Sequence, residues 1–162
     1  MKIEPHIVID SREQTPLAFE NLPAEVGTLG TGDYSIRGLE HLIAVERKSL
    51  PDLLACCGRE RDRFKRELQR LKAYPFRLLV IETTAAELEA GDWRSKLKPN
   101  HVLGSLAAWQ AQYSLPVWLG GDRAACGRFV EKFLYQAART IASDYSSASG
   151  FLGVSEPTSA AV

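Results

Sequence analysis

The sequence is poor in several features that would each point elsewhere. It has three cysteines in 162 residues: the adjacent Cys56 and Cys57, and Cys126. No CxxC pair exists, so a disulfide-stapled scaffold and a structural zinc module are not expected, and a reducing compartment is. No run approaches the roughly 20 apolar residues that cross a bilayer. The opening MKIEPHIVIDSREQTP turns polar before a signal-length apolar stretch develops. A soluble intracellular protein, of cytoplasm or nucleoid, is the expectation. Net charge is also absent, with 20 Lys and Arg against 20 Asp and Glu. That argues against a generally polycationic nucleic-acid binder, so any such partner needs a local basic surface. No internal repeat is visible.

What is present suits one compact domain: 45% hydrophobic and 25% charged residues, enough chain to bury a core and too little for two catalytic domains. The charge balance hides a segregation. Residues 1–46 carry 3 basic and 8 acidic side chains, residues 47–77 carry 10 and 4, and the remainder carries 7 and 8. Such an order can set carboxylates beside a surface that attracts polyanions. The basic stretch can equally be a solvated helix laced with ion pairs, since Asp62 and Arg66, and Arg63 and Glu67, lie at i,i+4.

Along the chain, HIVID at 6–10 reads as a strand, LAFENLP as a brief extended piece, and 26–32, with three glycines, as a turn-rich approach to a strand. DYSIRG and HLIAVERK form a hairpin across Gly38, Leu39 and Glu40. In its second arm Leu42, Ala44, Glu46 and Lys48 share one face, and Ile43, Val45 and Arg47 the other. Ser49 caps a helix, or pair of helices, over 51–73, with Pro51 in the first turn and Phe64, Leu68 and Leu71 on the apolar side. FRLLVIE at 76–82 reads as a central strand. A short helix ending at Gly91 and a polar loop RSKLKPN follow. Asn100 is expected to cap a helix bearing Val102, Leu106, Trp109 and Tyr113. LPVWLG at 115–120 reads as a buried strand. Gly121-Asp122 opens a long helix to about 142 with a stripe of Ala125, Phe129, Phe133, Ala137 and Ile141. Residues 1–142 are expected to form the domain, and 143–162 a flexible tail. This order predicts an α/β protein: a mixed sheet flanked by helices in three layers.

The chemistry concentrates in Asp10 at the end of the first strand, Asp33 at the start of the hairpin, and Glu46-Arg47-Lys48 on its second arm. Two carboxylates can hold an oxygen-preferring divalent cation that polarises a phosphodiester and acidifies its bound water. A lysine two residues from the glutamate, on the same face, can orient the attacking water and offset charge on the pentavalent intermediate. Arg47 faces the other way, to brace a carboxylate or reach a phosphate. Asp52 fits a helix cap, a catalytic partner, or both.

IVIDSREQTP, GDYSIRG, VERKSLPDLL and RFKREL…YPFRLLVIE, in this order and spacing, resemble the nuclease domain of the XPF/Mus81 (ERCC4-type) family of structure-selective endonucleases. The signature residues are Gly32-Asp33, Glu46-Arg47-Lys48 and Asp52, with Asp10-Ser11-Arg12-Glu13 upstream, and the likeness covers about residues 6–137. The resemblance implies a restriction-endonuclease-like, PD-(D/E)xK fold with a Mg2+- or Mn2+-dependent phosphodiesterase centre. Asp33 and Glu46 would be the principal ligands, Asp10 a further acid at the metal, and Lys48 poised over the water. Arg12 and Arg47 would support phosphate or carboxylates, Asp52 would complete the motif, and Glu13 would belong to the polar surround. It further implies hydrolysis of branched, flap or fork DNA and pairing into a homodimer or heterodimer. The helices at 101–113 and 122–142 supply either the pairing face or plain core.

The helix-hairpin-helix elements and helicase domain found in parts of the family have no counterpart after Ile141. Grip on DNA is therefore expected from a stripe of Arg59, Arg63, Arg66 and Arg70 at i, i+4, i+7 and i+11, from Lys96 and Lys98 in the Arg94–Lys98 loop, or from a second subunit or an accessory protein. The alternatives are an exonuclease or restriction-type nuclease of the same fold, and a non-catalytic DNA-binding scaffold that needs a partner.

Overall fold

The alternation in IAVERKS decides how the molecule is layered. In the computed structural model, which describes residues 2–154, this run is a strand, Ile43–Ser49. Ala44 faces one hydrophobic cluster, with Leu53, Phe64, Leu68, Leu79, Ile81 and Trp109. Ile43 and Val45 face a second, with Ile7, Tyr34, Leu78, Val80, Val130 and Leu134. A sheet apolar on both faces needs cover on both, and the chain supplies helices to each.

The elements in order are β1 (Ile7–Asp10), β2 (Ala24–Gly27), β3 (Tyr34–Ile36), β4 (Ile43–Ser49), α1 (Leu50–Cys57), α2 (Arg61–Leu71), β5 (Phe76–Glu82), α3 (Ala85–Ala90), α4 (Pro99–Tyr113), β6 (Val117–Leu119) and α5 (Arg123–Leu152). The six strands form one mixed sheet in the order β2-β1-β3-β4-β5-β6. β3 is antiparallel to β1 and β4, whereas β2 runs parallel to β1, and β5 and β6 run parallel in sequence from β4. Helices α1, α2 and α4 cover one face, and α5 covers the other. No helix of the described residues is long and apolar enough to cross a membrane.

The hairpin, the interior strand 76–82 and the helix cap at Ser49, whose side chain accepts the Asp52 N–H, are where the sequence pattern sets them. Several elements differ. Residues 24–27, the last two of which were expected in a turn-rich stretch, form an edge strand. Val26 is 70% exposed there, so β2 has no apolar face to betray it and is set by backbone pairing to β1. The helical stretch 51–73 is a pair of helices, as the pattern allows, but Arg59 sits in the break between them and not on a helix. LPVWLG contributes only a three-residue edge strand, with Trp118 44% exposed and stacked on Phe129.

Lys98, not Asn100, is the N-cap of α4, because Pro99 suits the first helical position and shifts the start by two residues. The buried face of α5 runs through Cys126, Val130, Leu134, Ala137 and Ala138. Phe129, Phe133 and Ile141 stand at its margin, so the stripe is turned by about one residue from the expected one. This helix also runs past 142 to Leu152 and ends at Gly153 in the left-handed conformation. The expected tail over 143–162 therefore begins as helix, and from 155 it lies outside the described residues.

Candidate active site

The site begins with a glycine. Gly32 has φ +80°, and a Cβ there would lie 2.9 Å from the Val45 carbonyl oxygen, so only glycine lets the chain enter β3 this close to β4. Asp33 is then locked to that strand twice. Its N–H donates to Val45 O at 2.7 Å, and its Oδ2 accepts the Arg47 N–H at 2.8 Å. Glu46 and Lys48 project from β4 toward the α1/α2 layer, as the period of two requires. Lys48 Nζ donates to Glu46 Oε1 at 2.6 Å, lies 3.6 Å from Glu67 Oε2, and sits 5.0 Å over the Phe64 ring.

These groups line a cleft of about 240 Å³ with Asp10, Arg12, Glu67 and Arg70. Burial, and next the Glu46 carboxylate, push the Asp33 carboxyl up to about 8. Burial also raises Glu46, against the pull of Lys48. For Lys48, burial alone would lower the ammonium, but the Glu46 carboxylate overrides it and holds it protonated. Two carboxylates that each resist ionisation, in one cleft, form a donor set that a hard cation relieves. No three His, Cys, Asp or Glu side chains among the described residues gather into a metal cage. Asp33 and Glu46 in one cleft fit a Mg2+-like ion, which is held through one or two carboxylates and keeps most of its shell as water or phosphate oxygen. Burial pushes the thiols up, Cys56 to about 12 and Cys126 to about 11, and raises Cys57 as well, which disfavours the reactive thiolate.

The remaining predicted residues divide. Asp10, 3% exposed, spends its oxygens on the chain: it accepts Arg12 Nε at 2.7 Å and the Leu29 N–H at 2.9 Å. Burial would raise this carboxyl, but these bonds lower it on balance. Arg12 in turn donates to Leu29 O at 2.7 Å and is 71% exposed at the mouth of the cleft. Arg47, 9% exposed, turns to the opposite face and braces two carboxylates, Glu82 at 2.7 Å and Glu13 at 3.4 Å. Asp52 stands outside the cleft, where it accepts the Ser49 hydroxyl at 2.7 Å in the cap of α1.

The arginine stripe does not survive, because Arg59 lies in the break between helices and Arg63 pairs with Glu60 and Glu67 at 3.0 and 3.9 Å. Arg66 and Arg70 are exposed on α2, and Arg70 reaches the cleft. Lys96 and Lys98 are exposed on the loop before α4. Two residues were not singled out from the sequence: Glu67, read only as a helix ion-pair partner, and Glu82, read only as the end of an apolar strand. The signal for Glu67 was its i+3 spacing from Phe64, which points both at the same cleft.

With this geometry in view, likeness to known proteins is specific. The ERCC4 domain matches residues 9–133. XPF from Aeropyrum pernix in complex with DNA has a TM-score of 0.65 at 19% identity, over 84% of this chain and 66% of that one. XPF from Aeropyrum pernix has a TM-score of 0.66 at 19% identity, over 82% and 61%. The chain thus spans less than two thirds of those solved chains. No curated protein sequence matches it. The mixed, helix-flanked sheet is the restriction-endonuclease-like fold.

Proposed function

The chain belongs to the ERCC4 domain family, and from that premise we propose that it is a divalent-metal-dependent endonuclease acting on branched, flap or fork DNA. The observation that carries the reading is the pairing of Asp33 and Glu46 in a buried cleft, with Lys48 between Glu46 and Glu67. Asp33 and Glu46 would hold Mg2+ or Mn2+, with Asp10 as the third acid of the wall. The ion, when bound, would polarise the scissile phosphodiester and lower the pKa of its water. Lys48 presents a permanently charged ammonium where negative charge grows on the phosphorus oxygens. Glu67 gives that ammonium a second anchor once Glu46 is engaged. Arg12, oriented by Asp10, and Arg70 flank the opening and take phosphates on either side of the scissile bond. Arg47 acts at one remove: its backbone N–H aims Asp33 while its side chain ties β4 to Glu13 and Glu82. Asp52 serves the start of α1.

We place the catalytic unit within residues 1–142. The pairing face with a second copy or a related subunit lies on α4, α5 and the open edge at β6, where Trp118 is exposed. A reducing compartment suits three free, buried cysteines.

The test is a panel of flap, fork and linear duplex substrates with Mg2+, Mn2+ or EDTA, run with wild type and Glu46→Ala side by side. Wild type is expected to cut near the junction with either metal and not with EDTA. Glu46→Ala and Asp33→Ala are expected to lose on the order of 10²–10³ in rate while still folding. Equal cutting of linear duplex would favour the exonuclease or restriction-type reading. Wild-type rates from either variant at saturating Mg2+ would remove this centre altogether.

A further inference from the structure

A second groove, about 570 Å³, opens between α1 and the loop before α4. Its apolar wall is Leu50, Leu54, Trp93 and Leu97, its rim carries Arg59 and Arg94, and no acidic residue lines it. The Trp93 ring is held in one orientation: its Nε1–H donates to Leu97 O at 2.8 Å, and it packs on the core beneath while staying half-buried. A Cβ at Gly58 would sit 3.7 Å from Leu97 Cδ1, so the loop lies against the end of α1. Lys96 and Lys98 are exposed on the same loop. Among the described residues none of Arg59, Arg94, Lys96 and Lys98 makes an ion pair. Lys48 lines the catalytic cleft and Leu50 the groove, so their backbones stand at most about 7 Å apart.

An aromatic, apolar floor under a cationic rim suits one kind of polyanion. Base faces stack on the floor while backbone phosphates meet the arginines and lysines outside. A duplex keeps its base faces inside its own stack and offers only phosphates, so it can use the rim but not the floor. An apolar peptide would cover the floor yet leave four cations without counter-charge. We infer that this groove holds a single-stranded segment of the DNA substrate, with a base against Trp93 and phosphates on Arg59 and Arg94. The inference rests on the nuclease reading for its substrate and adds the source of its preference for branched DNA. The duplex end enters the cleft, and the unpaired arm lies in the groove beside it.

The test is binding, read by fluorescence anisotropy in EDTA so that no cleavage enters. Labelled flap DNA with an oligothymidine arm is compared with the same duplex lacking the arm. Wild type is expected to bind the armed substrate about ten- to a hundredfold more tightly, the range of one or two stacked bases. Trp93→Ala is expected to abolish that difference and leave duplex affinity unchanged, while Trp93→Phe, which keeps a stacking face, restores most of it. Because Trp93 also packs on the core, Ala55→Glu provides an independent arm. Ala55 lines the groove from α1, and a carboxylate there repels the strand without removing core packing. Persistence of the arm preference in soluble Ala55→Glu and Trp93→Ala proteins would overturn the inference while sparing the nuclease reading. Unchanged preference with a shift from dimer to monomer in sedimentation would give the groove to a second copy instead. Failure of wild type to bind any DNA would sink both readings.

Discussion

At the scale of single residues, the site is a compromise between folding and chemistry. Burial, and next the neighbouring Glu46 carboxylate, raise the Asp33 pKa to about 8, so without a cation the fold carries the cost of holding that group there. Asp33→Asn keeps an oxygen for the Arg47 N–H and removes the repulsion. We expect it to raise the melting temperature of the metal-free protein, by about 1 kcal/mol of stability, and to abolish turnover. A lower melting temperature in EDTA would contradict this. Gly32 is the opposite case, a residue with no chemistry that the chemistry depends on. Gly32→Ala must adopt a left-handed conformation costing about 1–2 kcal/mol and push against Val45 O. Both stability and rate should fall, read by denaturant melts and single-turnover cleavage. Glu46 and Lys48 were legible in the sequence because period-two geometry alone puts them on one face. The partners of Asp10 and Arg47 were not, since Leu29, Glu13 and Glu82 approach them only through the folded sheet.

At the scale of elements, the sheet and helices were read best where burial is one-sided or complete. β4 and β5, lined by core on each face, are strongly patterned, whereas β2 is held by backbone pairing and has no apolar pattern to read. The long segment between β1 and β2 is fixed by contacts from the opposite end of the chain. Glu131 on α5, 5% exposed, accepts the Asn21 and Leu22 N–H groups at 2.7 and 2.8 Å and the Asn21 amide at 2.8 Å. Burial alone would raise its carboxyl, but these donors outweigh it and the pKa is lowered. A folded-state value below the unfolded one means the contribution is full above the ordinary glutamate range and lost as pH falls through the folded value. Glu131→Gln should therefore cost about 1–3 kcal/mol at pH 7, with the gap to wild type closing in acid. Urea unfolding at pH 7, 5 and 3 checks this, and a constant gap would show that the carboxylate charge is irrelevant. The one-residue rotation of α5 has a similar origin. Gly127 lets the Ala18 carbonyl approach to where a Cβ would be only 2.6 Å away, and that close contact helps set which face turns inward.

At the scale of the whole molecule, the proposed grip on DNA must come, in a protein with no net charge, from local fields that salt screens within about 10 Å at 0.1 M. Arg12 and Arg70 line the cleft and Arg66 is exposed on the same helix as Arg70; phosphate contacts from these three predict a slope of about −3 in log K against log salt for duplex binding. Arg12→Ala should reduce that slope by about 1. Two duplexes of equal shape and different sequence should give the same curve, and a strong preference between them would contradict phosphate-only grip. The sequence by itself determined the layered α/β class, the face of β4 that carries Glu46 and Lys48, and the acid-rich segment 1–46 beside the basic segment 47–77. These follow from local periodicity and from which side chains exist at all. Only the tertiary structure decided that Arg59 leaves the helix stripe for a groove with Trp93, that Glu67 faces Lys48, and that Asp10 is engaged by Leu29. Each depends on where separate elements stop and meet, and packing of distant segments fixes that while neighbouring residues do not.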